Sequence, residues 1–131
     1  PYDFSFSGLK SAVLNHINHA HMMGEEINVP DLMASFQYAV VDVLTSHAVE
    51  AAKNLGYDKV AIAGGVASNS ALRAEMKEAC EKAGLKFYYP SPIFCTDNAA
   101  MIGVAGYYEY INGTRSGLDL NAVPNLKLGE R

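Results

Sequence analysis

An α/β fold is what the sequence predicts, and three observations support it. Residues 60–63 form a short apolar run rich in β-branched side chains, which is typical of a strand buried on both faces. The run ends at Gly64 and Gly65, after which apolar residues recur at helical spacing. A second short strand is predicted at residues 86–89, so the two strands should lie parallel with a right-handed crossover.

The composition suits one domain over residues 1–131, since 50% of the side chains are hydrophobic. The net charge is −4 with ten Lys and Arg, which makes the chain by itself a poor candidate for binding nucleic acid. No apolar run is long enough to cross a membrane, so we expect no membrane association. Cys80 and Cys95 lack the spacing of a disulfide framework or a metal site, and we expect reduced thiols in a cytoplasm. Because the chain starts at Pro1 rather than Met, we interpret it as a piece of a longer protein.

At the amino end, residues 2–6 alternate aromatic with small or polar side chains and predict a strand. Ser7 should cap a first helix that stops at Gly24. His16 and His19 lie three residues apart on this helix and suggest a metal site, but no carboxylate or Cys stands at ligand spacing, so a solvated polar face is the better interpretation. The apolar stripe of the helix is Leu9, Val13, Ile17 and Ala20.

The longest helix should begin at Pro30 and Asp31, run to about Asn54 and end at Gly56. His47 falls on its buried stripe, and we interpret it as a partly buried core histidine rather than a catalytic one. The predicted stripe is Leu32, Phe36, Val40, Val43 and Ala51.

The third helix follows the two glycines, begins at Asn69 or Ser70 and is closed by Gly84. Its predicted buried stripe is Leu72, Met76, Cys80 and Ala83.

Thr96 should cap a last helix that ends at Gly113, with Asp97 and Asn98 in its first turn. One interpretation of Asp97 at this place is that it only complements the helix dipole. A ridge of small residues predicts close approach of another helix or a ligand, and residues 114–131 should be irregular. The ridge is Ala99, Gly103 and Gly106, and the side predicted to face the core is Ala100, Val104, Tyr108 and Ile111.

The junction at Gly64 and Gly65 is the first candidate binding site. A strand that enters a helix through glycines points backbone N–H groups outward and lets a ligand reach the main chain without meeting a Cβ. A nucleotide is one interpretation and a simple tight turn is the other, because the pattern matches neither the dinucleotide fingerprint nor a phosphate-binding loop with Lys-Ser or Lys-Thr.

Several stretches together resemble one family. They are FSFSGLK at residues 4–10, SFQ at 35–37, GGVASN at 64–69 followed by Leu72 and Arg73, and CTDNAAMI at 95–102. In order and content they resemble the C-terminal half of the TsaD/Gcp family, the tRNA adenosine threonylcarbamoyltransferases formerly named O-sialoglycoprotein endopeptidases.

The resemblance implies an actin-like ATPase fold, in which two RNase H-like halves face a nucleotide cleft. Residues 1–131 would then form most of the second half, a mixed sheet with flanking helices. It also implies a cytoplasmic acyltransferase that moves threonylcarbamoyl from threonylcarbamoyl-AMP to N6 of the adenosine at position 37 of tRNAs reading codons that begin with A. The implied partners are tRNA and TsaB-like and TsaE-like proteins.

By the same resemblance, Asp97 matches a ligand of one divalent metal, with iron favoured and zinc or magnesium as alternatives. Asn69, Gly64 and Gly65 match positions that contact ATP or threonylcarbamoyl-AMP. The family's two metal-binding histidines, four residues apart, belong to the other half, and the histidines of the first helix do not replace them. Since one carboxylate does not hold a transition metal, we expect the isolated chain to be inactive.

Two other functions stay open at this point. A sugar-kinase-like enzyme of the same superfold also has a glycine pair that enters a helix, although such kinases generally lack a run like Thr-Asp-Asn at residues 96–98. A non-catalytic scaffold of the same modification complex is the other alternative, and the presence of Asp97 speaks against it. Apolar surface left exposed by a missing half should also make the chain self-associate.

Overall fold

Four helices and two short strands make up the part of the chain that the computed structural model describes, residues 2–127. In chain order they are α1 (Leu9–Met23), α2 (Val29–Asn54), β1 (Lys59–Ala61), α3 (Ser70–Ala83), β2 (Lys86–Tyr88) and α4 (Ala99–Ile111), with 3₁₀ turns at Gly65–Ser68 and Pro92–Phe94. The chain divides into two units, one that ends at Thr96 and one that begins at Asp97.

The sheet of the first unit consists of β1 and β2, which are parallel as predicted. Lys59 pairs with Lys86, and Val60 pairs with Phe87. Backbone hydrogen bonds extend the ladder at both ends, from Lys86 N to the Asp58 carbonyl (2.9 Å) and from Ile62 N to the Tyr88 carbonyl (3.0 Å). The α/β class and the strand, helix, strand order are therefore confirmed. The mixed sheet is not found, because the described residues contain only this two-stranded parallel one.

The core lies between α2, α3 and the sheet, where burial of apolar side chains stabilises the unit. On α3 three residues of the predicted stripe, Leu72, Met76 and Cys80, are buried, with Met76 at 1% and Cys80 at 0% exposure, whereas Ala83 is half-buried. The central cluster is Val41, Ala52, Val60, Leu72, Met76 and Cys80.

On α2 the predicted stripe is displaced from the observed one. Val41 and Ala52 are buried, each one residue after the predicted Val40 and Ala51, and Phe36 is 38% exposed. One residue rotates a helix surface by about 100°, so the neighbouring ridge of α2 packs against α3. His47 is half-buried, as predicted, and its ring stacks on Phe4 at 5.7 Å.

Two strand predictions are wrong. Residues 2–6 do not form a strand, because in residues 2–127 the ladder joins only β1 and β2 and gives this segment no strand to pair with. Instead, Phe4 stacks on Phe6 at 6.5 Å. Strand β1 is not buried on both faces, since Val60 is 8% exposed while Lys59 and Ala61 are exposed on the other side.

The predicted caps of two helices also differ. Gly8, not Ser7, precedes α1 and makes no side-chain cap, while the Ser7 hydroxyl contacts that of Ser5 at 3.3 Å. Asn98, not Thr96, caps α4, since its Oδ1 accepts a hydrogen bond from Met101 N at 3.0 Å. The helix therefore begins after Asp97 and Asn98, and neither lies in its first turn.

The second unit contains α4 and the segment that follows it. The side chains predicted to face a core, Ala100, Val104, Tyr108 and Ile111, are exposed, and no α4 residue is buried. A Cβ added at Gly103 or Gly106 would meet nothing within 4 Å. Residues 114–127 contain no helix or strand, as predicted, and the rest of the predicted irregular tail, 128–131, lies outside the described residues. None of the described helices combines the length and apolar character needed to cross a membrane.

Candidate functional site

The glycine turn after β1 is an open stretch of main chain. Gly64 has φ 84° and ψ 175°, a conformation that is essentially restricted to glycine. The 3₁₀ turn Gly65–Ser68 then intervenes before α3, closed by a hydrogen bond from Ser68 Oγ to the Gly65 carbonyl at 2.6 Å. A Cβ at Gly64 or Gly65 would meet nothing within 4 Å, so no protein atom fills the space in front of the turn. A ligand can approach the backbone there.

Asn69 links this turn to α3. Its Oδ1 accepts a hydrogen bond from Leu72 N at 3.0 Å, which makes it the N-cap of the helix. Its Nδ2 donates to Gln37 Oε1 of α2 at 3.1 Å. These two contacts fix the orientation of the amide, and Nδ2 keeps a second proton for a ligand.

A cavity of about 460 Å³ lies beside Asn69, between α2 and the start of α3. Its walls are mainly apolar, and the amides of Gln37 and Asn69 are its polar groups. Apolar walls with a few fixed hydrogen-bonding groups suit a small, flat, partly polar ligand. The lining residues are Met33, Phe36, Gln37, Val40, Val41, Leu44, Val66, Asn69 and Leu72.

Gln37 as the partner of Asn69 was not predicted from the sequence. The two residues are 32 positions apart, so no local periodicity connects them. The only signal was that Gln37 stands in the short SFQ stretch at residues 35–37.

Of the four predicted site residues, Gly64, Gly65 and Asn69 come together in the first unit. Asp97 belongs to the second unit, where it is exposed and directly precedes the N-cap of α4. Within residues 2–127, no group of three or more His, Cys, Asp and Glu side chains could hold a metal ion. Catalytic metal sites normally use about three protein ligands, so the residues of this chain do not by themselves fit a transition metal.

Comparisons with known proteins agree on one family. The sequence model of TsaD, tRNA N6-adenosine threonylcarbamoyltransferase, matches residues 1–104. Proteins named tRNA N6-adenosine threonylcarbamoyltransferase from Clostridium botulinum (strain Hall) and Clostridium perfringens are each 60% identical over 129 residues. Each alignment covers 98% of this chain and 38% of the relative, so the chain spans well under half the length of the curated relatives it matches.

Proposed function

The chain belongs to the TsaD family of tRNA N6-adenosine threonylcarbamoyltransferases, and from this premise we propose that it is the C-terminal part of an enzyme that modifies tRNA. The whole protein transfers threonylcarbamoyl from threonylcarbamoyl-AMP to N6 of the adenosine at position 37 of tRNAs that read codons beginning with A. The observation that best supports this proposal is the open glycine turn, which leads through Asn69 into α3. Beside it lies a cavity whose two amides, those of Gln37 and Asn69, are hydrogen-bonded to each other.

Each part of this site has a role with the nucleotide, ATP or threonylcarbamoyl-AMP. Gly64 and Gly65 line the adenosine side, because their backbone can come into contact with the ligand where a side chain would stand in the way. Asn69 donates to the nucleotide through the free proton of Nδ2. The start of α3 adds about half a positive charge, which favours an anionic ligand.

Asp97 supplies one carboxylate ligand to a divalent metal in the whole protein, with iron favoured and zinc or magnesium as alternatives. The remaining ligands come from outside this chain, because the residues of 2–127 do not form a complete site. The isolated 131-residue chain is therefore inactive. Turnover of threonylcarbamoyl-AMP by this chain without added protein would contradict the assignment.

The proposed architecture is an actin-like ATPase fold, in which residues 1–131 are most of the C-terminal RNase H-like half. The α/β order and the parallel strand pair support it. The proposed setting is a cytoplasmic complex with TsaB-like and TsaE-like proteins that delivers the modification to tRNA. The net charge of −4 supports a need for such partners, since this chain offers little electrostatic attraction for tRNA.

We also propose that the isolated chain self-associates through α4. Large apolar side chains of this helix are exposed, among them Ile102, Val104 and Tyr108. Surfaces of this kind mark protein contacts. Light scattering over a concentration series should show an increasing mean mass, and a monomer at high concentration would contradict the proposal.

Nucleoside mass spectrometry of tRNA tests the function. The full-length parent protein is incubated with its partner proteins, threonine, bicarbonate, ATP and tRNA. The native protein should form threonylcarbamoyladenosine, Asp97→Ala should not, and Asp42→Ala, which removes an exposed carboxylate of α2, should act as native.

Product from both Asp97→Ala and the native protein would contradict the metal role of Asp97 and leave it only as the residue that precedes the α4 cap. No product from any form, with working controls, would favour the scaffold function. The sugar-kinase alternative loses support because the relatives matched here are named tRNA N6-adenosine threonylcarbamoyltransferases, which transfer threonylcarbamoyl rather than a phosphoryl group.

A further inference from the structure

Arg73, near the start of α3, contacts several separate segments of the chain, although the proposed function gives it no role. We propose that Arg73 is a positioning residue, which holds the 3₁₀ turn Gly65–Ser68 and Asn69 in the geometry that binds the nucleotide. The inference rests on the proposed nucleotide site, but its contacts can be tested without any nucleotide.

The guanidinium joins three segments. Its Nε donates to the carbonyl of Ala67, inside the 3₁₀ turn. Its Nη2 donates to the Pro90 carbonyl at 2.9 Å and to Cys95 Sγ at 3.1 Å. Its plane lies over the ring of Tyr89, 4.7 Å from the centroid.

Two of these partners are backbone carbonyls and a third is the face of an aromatic ring. The two ion pairs found within residues 2–127 join Lys77 to Glu81 and Lys82 to Glu78, so neither involves Arg73. Cys95 Sγ also lies 3.7 Å from the Ser91 carbonyl. The half-buried guanidinium is therefore held by directional hydrogen bonds and by stacking, which a lysine ammonium cannot reproduce with the same geometry.

Besides the burial of Ala67, at 1% exposure, the Arg73 guanidinium is a side-chain contact that links the turn to later segments of the unit. The hydrogen bonds from Ala67 N to the Gly64 carbonyl and from Asn69 N to the Val66 carbonyl, both 3.0 Å, are internal to the turn and its ends. The Ser68 hydroxyl bond is internal as well. The Ala67 carbonyl is thus where a side chain from α3 links the turn to residues 89–95, which follow β2.

Without the Arg73 contacts, the turn should spend much of its time in other conformations. If the binding-competent fraction falls to about a tenth, the apparent Kd for ATP rises about tenfold, while chemistry in the bound complex is unchanged. The expected signature is a higher KM with a nearly constant kcat.

The test compares Arg73→Lys and Arg73→Gln with the native full-length parent protein. Cys80→Ala is the matched control, since Cys80 lies about two turns further along the same helix and is a core residue with 0% exposure. Hydrogen exchange of the Ala67 and Asn69 amides reports the turn, calorimetric ATP titration reports binding, and thermal unfolding reports stability.

Both Arg73 variants should exchange these two amides at least about tenfold faster and bind ATP about tenfold more weakly. Cys80→Ala should lower the melting temperature without either effect. Native exchange rates in the Arg73 variants, or weakened ATP binding in Cys80→Ala that matches theirs, would overturn the proposal. If the native protein binds no ATP, the proposed nucleotide site is wrong. If the Arg73 variants exchange faster but bind ATP as the native protein does, Arg73 only stabilises the turn and does not position it for the nucleotide.

Discussion

Replacing Asn69 separates the two roles of its side chain, the cap of α3 and the contact with the nucleotide. In Asn69→Ala, Leu72 N loses its acceptor and Gln37 Oε1 loses its donor. Loss of an N-cap costs about 1 kcal/mol and an exposed side-chain hydrogen bond about 0.5 kcal/mol or more. We therefore expect Asn69→Ala to lower the free energy of unfolding by about 1–2 kcal/mol.

Asn69→Asp should behave differently, because a carboxylate keeps the cap acceptor and suits the positive end of α3. Gln37 can turn its amide and donate to the new carboxylate. Stability should then change by no more than about 0.5 kcal/mol. ATP binding should still weaken about tenfold or more, since the donor is lost and a negative charge faces the phosphates.

The assay measures thermal unfolding and calorimetric ATP binding on the full-length parent protein. Asn28→Ala is the matched control, because Asn28 caps α2 in the same way, accepting from Asp31 N at 3.3 Å, and is no part of the glycine turn. It should lose stability to a similar degree and bind ATP normally. Native ATP affinity in Asn69→Asp would refute the ligand role, and unchanged stability in Asn69→Ala would refute the cap.

Three further predictions concern the turn and the core. Gly64→Ala should lower the free energy of unfolding by about 1–3 kcal/mol, because φ 84° strains any L side chain. Gly65→Ala should fold normally, since its Cβ would project into open space, and should weaken ATP binding there. Thermal unfolding and ATP titration separate the two effects. Met76→Ala should cost about 2–5 kcal/mol by urea unfolding, and Met22→Ala, at 85% exposure, less than about 0.5 kcal/mol. Burial raises the pKa of the Cys80 thiol by disfavouring the thiolate, so iodoacetamide near neutral pH should label Cys80 only after unfolding, as read by mass spectrometry.

Helix α3 shows what the sequence predicts well. Its period, its start at Asn69 or Ser70 and its end at Gly84, where φ is 70°, are all local signals within 16 residues of chain. Met76 and Cys80 could be placed in the core because a helix with one apolar stripe has one way to bury it.

Helix α2 shows where such reasoning stops. Apolar residues occur on more than one of its ridges, so its sequence permits several buried faces. Contact with α3 selects the ridge of Val41 and Ala52, and this choice depends on tertiary packing. Residues 2–6 failed for a related reason, since alternation describes a strand only when a neighbouring strand is present to pair with it.

The candidate site also has parts that local sequence predicts and parts that it does not. The glycine turn at Gly64 and Gly65 was predicted from a local pattern, whereas Asn69 was added as a site residue by the family resemblance. The long-range contacts were not predicted, since Gln37 is 32 positions from Asn69, and Pro90 and Cys95 are 17 and 22 positions from Arg73. A motif therefore locates the turn, and long-range contacts decide how firmly it is held.

Two independent observations concern what the second unit lacks within the described residues. Coordination chemistry requires more ligands than Asp97 provides, and residues 2–127 do not supply them as a group. Helix α4, which begins two residues after Asp97, has apolar side chains on all sides and no buried residue. A helix that is apolar all round is normally buried within a larger protein. The proposed metal site at Asp97 therefore needs ligands beyond residues 2–127, and the exposed apolar side chains of α4 suit contact with another protein surface.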